Sequence, residues 1–366
     1  MILCRAVYGE IMSFPKKTDV SIPHEQPSGG VHTQLSELSP AYFGMAMATG
    51  IVSLGTQLVG LNSIANALFL LNIIAYTTLL ILTVLRMSLY PRRFFGDMTD
   101  HLRGSGFFTT IAATGILGSQ FILLKSNYFV GAIFLVVAVL LWVGLTYTIF
   151  ASFTIKEEKP TLDKGISGAW LLIAILSALL AEHVGQPGKL EMNFLALSMW
   201  LWGGMLYIWM MSLIFYRYTF FPFSPADLSP PYWINMGAMA ISTLAGSLLI
   251  INVPHAPYLA SLLPFIKGFT VFYWVTGTWW IPMLLILGIW RHVYKRFPLK
   301  YDPLYWGAVF PLGMYAVSTG RMSQAMGFDF LWFLAPVFLC IALLAWTMTF
   351  SGLVKDLLRR ARAFRV

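Results

Sequence analysis

The sequence predicts an all-α, polytopic membrane protein with ten transmembrane helices paired into five hairpins. Three observations predict it. First, 58% of the 366 residues are apolar and only 11% are charged, and the mean hydropathy is +0.73. The charged share is less than half that of soluble domains. Apolar residues therefore outnumber what a soluble core buries, and the hydrophobicity excludes a disordered chain. Second, the apolar residues fall in long unbroken runs, not in the short alternating segments of an outer-membrane barrel. Third, the cationic residues collect in alternate loops.

Residues 1–38 form a polar tail rich in Pro, Ser and Gly. The tail lacks an apolar segment with a cleavage site, so no secretory signal is expected. Met12, followed by Ser-Phe-Pro-Lys-Lys, is an alternative start. From Pro40 onward ten apolar runs follow: 40–59, 64–89, 105–124, 128–153, 165–182, 191–218, 231–251, 260–293, 303–322 and 328–354. Each approaches or exceeds the roughly 20 residues that span a bilayer. The eighth, at 34 residues, measures about 50 Å as a helix and must tilt or project. The domain reading is a polar tail over 1–38, a ten-helix membrane domain over 39–355 and a basic tail over 356–366.

Orientation follows from Lys and Arg. The N-terminal tail holds Arg5, Lys16 and Lys17. Arg86, Arg92, Arg93 and Arg103 surround the end of run two, and Lys156, Lys159 and Lys164 follow run four. Arg217 closes run six. Arg291, Lys295, Arg296 and Lys300 close run eight, and Lys355, Arg359, Arg360, Arg362 and Arg365 end the chain. The other side holds Lys125 and Lys189 alone. Both termini are thus expected in the cytoplasm of an inner (plasma) membrane. The net charge of +9 is first a topology signal, compatible with drawing anions to the inner mouth, and no nucleic-acid partner is expected.

Loops after odd runs are short, and those after even runs are mostly longer and basic, which makes five hairpins. The odd runs are shorter in total yet hold more of the glycine. Small residues let helices approach closely, and they leave space where they face a lumen. Three odd runs share an opening: Pro40-Ala-Tyr42, Pro231-Tyr-Trp233 and Pro303-Leu-Tyr305. Proline suits a first helical turn and an interfacial aromatic follows it. Met45 and Met236, like Gly55 and Gly246, recur at matching offsets, a weak internal repeat. Small-residue odd helices are expected inside and longer, aromatic even helices outside.

The ninth-run string Trp306-Gly-Ala-Val-Phe310-Pro311-Leu-Gly313-Met-Tyr-Ala-Val-Ser318-Thr319 resembles the tellurite-resistance/C4-dicarboxylate transporter family. That family includes plant slow anion channels and fungal malate and sulfite permeases. Ser39-Pro40-Ala-Tyr42-Phe43-Gly44, and the eighth-run stretch from Lys267-Gly-Phe-Thr270 through Trp274, Thr278, Trp279 and Trp280 to Pro282, look like its bacterial members. The resemblance covers about 39–355. It implies a homotrimer in which each protomer has a central, pseudo-five-fold pore lined by the odd helices. A phenylalanine of the ninth helix plugs that pore, by position Phe310, with Gly307 and Gly313 leaving it room. It implies small inorganic or organic anions as substrates, moved through a channel or, alternatively, by a proton-coupled dicarboxylate or sulfite carrier of the same fold. Run five departs from the pattern, having no interior Gly or Pro after Gly168, and the short tails argue against kinase control.

Candidate lining hydroxyls are Thr49, Ser53, Thr110, Thr114, Ser242, Thr243, Ser318 and Thr319. A hydroxyl holds an anion without trapping it, although Ser and Thr in apolar helices commonly bond their own backbone. Arg321 and Lys267 are candidates for an outer anion funnel, with snorkelling as the plainer reading, and Glu182 lies near the same side. No run carries a mid-depth carboxylate or histidine. Gly165-Ile-Ser167-Gly168 matches a rhomboid-protease string but lacks a histidine beside it in the membrane, so no enzyme is expected. Asp97, Asp100 and His101 read as a solvated loop and helix start among arginines. Cys340 reads as a small packing residue. No cofactor and no metal site is expected.

Overall fold

The computed structural model describes residues 31–156, 171–181, 188–222, 224–225, 228, 230–298 and 301–363. The chain divides into two units, Met1–Glu37 and Leu38–Val366. In the first, the described part holds the short helix Val31–Ser36.

The described residues of the second unit are helical, with no strand among them. Its long helices are α1 (Phe43–Leu58), α2 (Asn62–Leu89), α3 (Phe108–Lys125), α4 (Tyr128–Ile155) and α5 (Leu171–Ala181). They continue as α6 (Gly188–Phe220), α7 (Ile234–Ile251), α8 (Tyr258–Ile289), α9 (Trp306–Met326) and α10 (Leu334–Ala363). The shared proline openings have a common form. Pro40–Tyr42, Pro230–Trp233 and Pro303–Tyr305 are 3-10 turns leading into α1, α7 and α9. The Ser39 side chain accepts the Ala41 N–H at the first of these, and Asp302 accepts the Leu304 N–H at the last, as capping requires. The stops are equally local. Gly327, at φ +70°, ends α9, and Ser126 adopts the left-handed region where α3 turns into α4, the usual way to release a helix. The long eighth run is α8 followed directly by a π turn, Trp290–Tyr294.

Each odd helix packs on the even helix after it, and the odd helices also pack on one another in a cycle: α1 on α3, α3 on α5, α5 on α7, α7 on α9 and α9 on α1. Each even helix also reaches the next odd one, so it lies along the groove between two inner neighbours. Burial follows this order. In the apolar stretch of Ser105–Lys125, 78% is buried inside the protein, against 28% of Tyr128–Ile155 and 17% of Asp329–Arg360. The exposed faces carry Leu70, Leu140, Trp209, Ile286 and Leu344. A belt of such side chains is incompatible with water and matches lipid.

Six helices among the described residues are long and apolar enough to cross a membrane: those spanning Asn62–Leu89, Ser105–Lys125, Tyr128–Ile155, Lys189–Phe220, Tyr258–Tyr294 and Asp329–Arg360. The others are sheathed by neighbours, which relaxes the demand for apolar side chains because protein, not lipid, surrounds them.

Three expectations are corrected. Of the two uses expected of the odd-helix glycines, close approach is the one seen, and the room expected beside Phe310 is not. A Cβ at Gly50 would strike Ile116 and the amides of Asn72 and Gln120, and one at Gly313 would meet Ile51. Gly313 therefore makes room for α1, not for Phe310. Asp97 is not solvated: it is 8% exposed, because the short helix Pro91–Thr99 folds back and sets it against Arg86. Asp100 does act at a helix start, accepting the Arg103 N–H. Cys340 is exposed on the outward face of α10 and is not packed.

Candidate functional site

A cavity lies on the axis of the inner helices and is walled by all five of them. It encloses about 420 Å³, open solvent included. Its lining is Ile51, Leu54, Gln57 and Leu58 from α1, Ile116, Ser119 and Leu123 from α3, and Ile175 and Leu179 from α5. Leu244 and Leu248 come from α7, and Val317 and Arg321 from α9. Most of this wall is aliphatic. Ser119 donates its hydroxyl hydrogen to the Gly115 carbonyl at 2.8 Å, leaving the oxygen as an acceptor only. Among the described lining residues the one cation is Arg321, which also donates to Gln324 at 3.2 Å.

Phe310 lies seven residues before Val317 and eleven before Arg321. At 3.6 residues per turn those are two and three turns along one face, so by helix phase Phe310 shares the face of Val317 and Arg321, although it is not itself part of the cavity lining. It is 3% exposed. Pro311, inside α9, rests against Gly237 of α7. Glycine in one neighbour and Gly313 toward the other bring both inner helices up close to α9 at this level.

The candidate hydroxyls are placed differently. Thr49 Oγ1 accepts from Trp346 Nε1 of α10 at 3.0 Å. Ser53 donates to the Ala65 carbonyl of α2 at 2.8 Å. Thr114 donates to the Thr110 carbonyl and meets Tyr76 Oη of α2 at 2.8 Å. Ser242, Thr243 and Ser318 donate to backbone carbonyls of their own helices, and Thr319 accepts from Trp274 Nε1 of α8 at 2.9 Å. None of the eight is in the axial lining. Thr110 lines a second cavity with Ser39, Thr83 and Arg86, where α1 and α3 begin. Lys267 is exposed on α8. Glu182, Lys159 and the Gly165–Gly168 string lie outside the described residues. Of the site residues singled out from sequence, the structure places Arg321 in the cavity wall and leaves Phe310 buried outside its lining.

Two polar clusters escape sequence reading. Arg86, 2% exposed, donates to Asp97 at 2.5 Å, and Arg103 reaches the same carboxylate at 3.0 Å. Asn72 donates to Gln120 at 2.6 Å, both fully buried between α2 and α3. An Arg in an otherwise apolar run and two long-separated amides were the available signals, but neither names its partner.

The sequence matches the model of one protein family, the voltage-dependent anion channels, over residues 37–354. An uncharacterized membrane protein of Mycobacterium tuberculosis is 39% identical over 152 residues, 42% of this chain and 77% of that protein. An uncharacterized transporter of Methanocaldococcus jannaschii is 26% identical over 314 residues, 82% of this chain and 89% of its own. A sulfite efflux pump of Trichophyton rubrum is 22% identical over 347 residues, 87% and 90% of the two chains. The model's span takes in the inner helices, the cavity they enclose and the Phe310–Arg321 face, and with that coverage the chain belongs to the voltage-dependent anion channel family: a membrane transport protein for anions, not an enzyme.

Proposed function

We propose that anions cross through the axis of the odd helices, that Phe310 closes the path and that Arg321 draws anions into its outer mouth. The ten helices are read as five hairpins crossing an inner (plasma) membrane with both termini in the cytoplasm, and three such protomers assemble, each with its own path. One observation carries the reading: one cavity touches all five inner helices and, among the described residues, holds one charge, a cation. An aliphatic bore conducts weakly hydrated anions and blocks by dewetting where a ring fills it.

Passive conduction is favoured over proton coupling. Among the described residues the buried charged side chains are Arg86 and Asp97, paired at one end of the bundle. A carrier that moves its proton on the protein uses a titratable group along the path, whereas one that takes up the protonated substrate acid needs none. The sulfite efflux pump among the relatives makes sulfite one substrate to test beside chloride, nitrate and malate. Reconstituted protein is expected to show reversal potentials that follow the anion gradient, with no stoichiometric proton flux. A potential following a potassium gradient refutes the reading. Arg321→Ala is expected to lower flux by about two- to fivefold, the effect of roughly 0.4–1 kcal/mol lost from a partly screened charge.

A further inference from the structure

Four flanking helices each reach an inner helix with an aromatic hydrogen-bond donor. Tyr76 Oη of α2 meets Thr114 of α3, and Trp200 Nε1 of α6 donates to the Ser242 carbonyl of α7 at 2.9 Å. Trp274 Nε1 of α8 donates to Thr319 of α9, and Trp346 Nε1 of α10 donates to Thr49 of α1. Each bond runs from the even helix of one hairpin to the odd helix of the next, and each donor sits near the middle of its helix. The acceptors share a register. Thr49, Thr114, Ser242 and Thr319 each stand two residues before a cavity-lining residue: Ile51, Ile116, Leu244 and Arg321. Two residues turn a helix by about 200°, so at Thr49, Thr114 and Thr319 the bonded hydroxyl and the lining side chain point to opposite sides of one short piece of helix, while at Ser242 the bond is to the backbone carbonyl itself. Any rotation that moves the lining residue strains or breaks the bond behind it. In α4 the corresponding ring, Trp142, has its Nε1 buried without an acceptor among the described residues.

We propose that Tyr76, Trp200, Trp274 and Trp346 are positioning residues that fix the rotation of α3, α7, α9 and α1, and thereby the width of the axial cavity and the size of anion it admits. The hydroxyls of Thr49, Thr114 and Thr319 then serve as acceptors for this belt and do not contact the anion. The proposal rests on the axial cavity being the path.

The test is the permeability ratio of a small to a bulky anion, chloride to malate, in proteoliposomes made from protein that elutes as wild type. Trp346→Phe and Trp274→Phe keep the ring and remove the donor. Thr49→Val and Thr319→Val keep the shape and remove the acceptor. Each is expected to shift the ratio about threefold, the size of one interhelical hydrogen bond in a membrane. The doubles Trp346→Phe/Thr49→Val and Trp274→Phe/Thr319→Val are expected to shift it no further than the singles. Trp142→Phe, losing an N–H that bonds nothing, is expected to leave it unchanged. A purely architectural bond lowers the melting midpoint and leaves the ratio alone, and that result overturns the proposal. So does a shift from the threonine variants without one from the tryptophan variants, which returns the hydroxyls to the lumen. Ile51→Ala separates the two layers of the argument. If it changes the ratio and the tryptophan variants do not, the belt fails and the path stands; if all are silent, the axial path itself is wrong.

Discussion

Phe310 is the residue on which the gate reading turns. It is buried beside a helix-interior proline, on the face that carries Val317 and Arg321. Two fates follow from truncation. A ring that plugs the path leaves it open, and Phe310→Ala protein is expected to conduct more than wild type while eluting normally. A ring that is only core leaves a cavity costing roughly 3–5 kcal/mol by analogy with soluble proteins, with poor yield and no added conductance. Phe310→Leu, of similar bulk, is expected to retain much of the block. Flux recorded on well-folded Phe310→Ala at or below the wild-type level excludes the gate. Arg321's place in the cavity wall was suggested by a cation on a glycine-rich run, whereas Phe310 was singled out through the family resemblance. The destination of a hydroxyl is not legible in the sequence. Thr49 and Thr319 read alike whether they face a lumen or an indole, since the indole comes from a helix far away in sequence.

At the scale of elements, the short helix Pro91–Thr99 shows how a polar segment is held against an apolar bundle. Phe94, Asp97 and Met98 are buried on one face, and Asp97 joins Arg86 of α2 to Arg103. The two arginines differ in setting, with side chains 2% and 40% exposed. Asp97→Ala leaves the buried guanidinium without its carboxylate and is expected to cost about 3–5 kcal/mol. Arg103→Ala is expected to cost no more than about 1 kcal/mol, as exposed pairs do. Melting followed by size-exclusion fluorescence ranks the two, and equal midpoints would show that Asp97 does not bear on Arg86 as drawn. The sequence suggested a solvated loop here because five charged residues lie within twelve positions. The periodic Phe94–Asp97–Met98 face becomes readable only once Arg86 is known to stand opposite.

For the whole molecule, the cycle of odd helices makes a topology that can be probed from outside. In a background with Cys4→Ser and Cys340→Ala, cysteines at the exposed positions Ser126 and Pro257 are expected to react with an impermeant thiol reagent applied to intact cells. Cysteines at the equally exposed Arg92 and Lys355 are expected to stay protected. Labelling at Arg92 without permeabilisation would break the five-hairpin reading at its first return. Removing the native Cys340 matters, because its exposure would otherwise supply background.

Composition and run length determined that this protein is helical and membrane-embedded, and local signals placed many of its helix starts and stops. Those properties depend on local chemistry: 3.6-residue periodicity, proline at a first turn, glycine or a left-handed residue at a stop, cations beside a span. The family, too, was written in a contiguous string on the ninth run. The tertiary structure alone decided which face of each inner helix meets the axis. Every odd helix is covered on all sides, so its apolar pattern has no preferred direction to betray. Direction came from partners brought together by folding: Trp346 on Thr49 across 297 positions of sequence, Trp274 on Thr319, Asn72 on Gln120. In lipid an unpaired polar group has no water to turn to. Thr49, Thr114 and Thr319 therefore turn to the outer helices, and Ile51, Ile116 and Arg321, two residues on, are left to line the cavity.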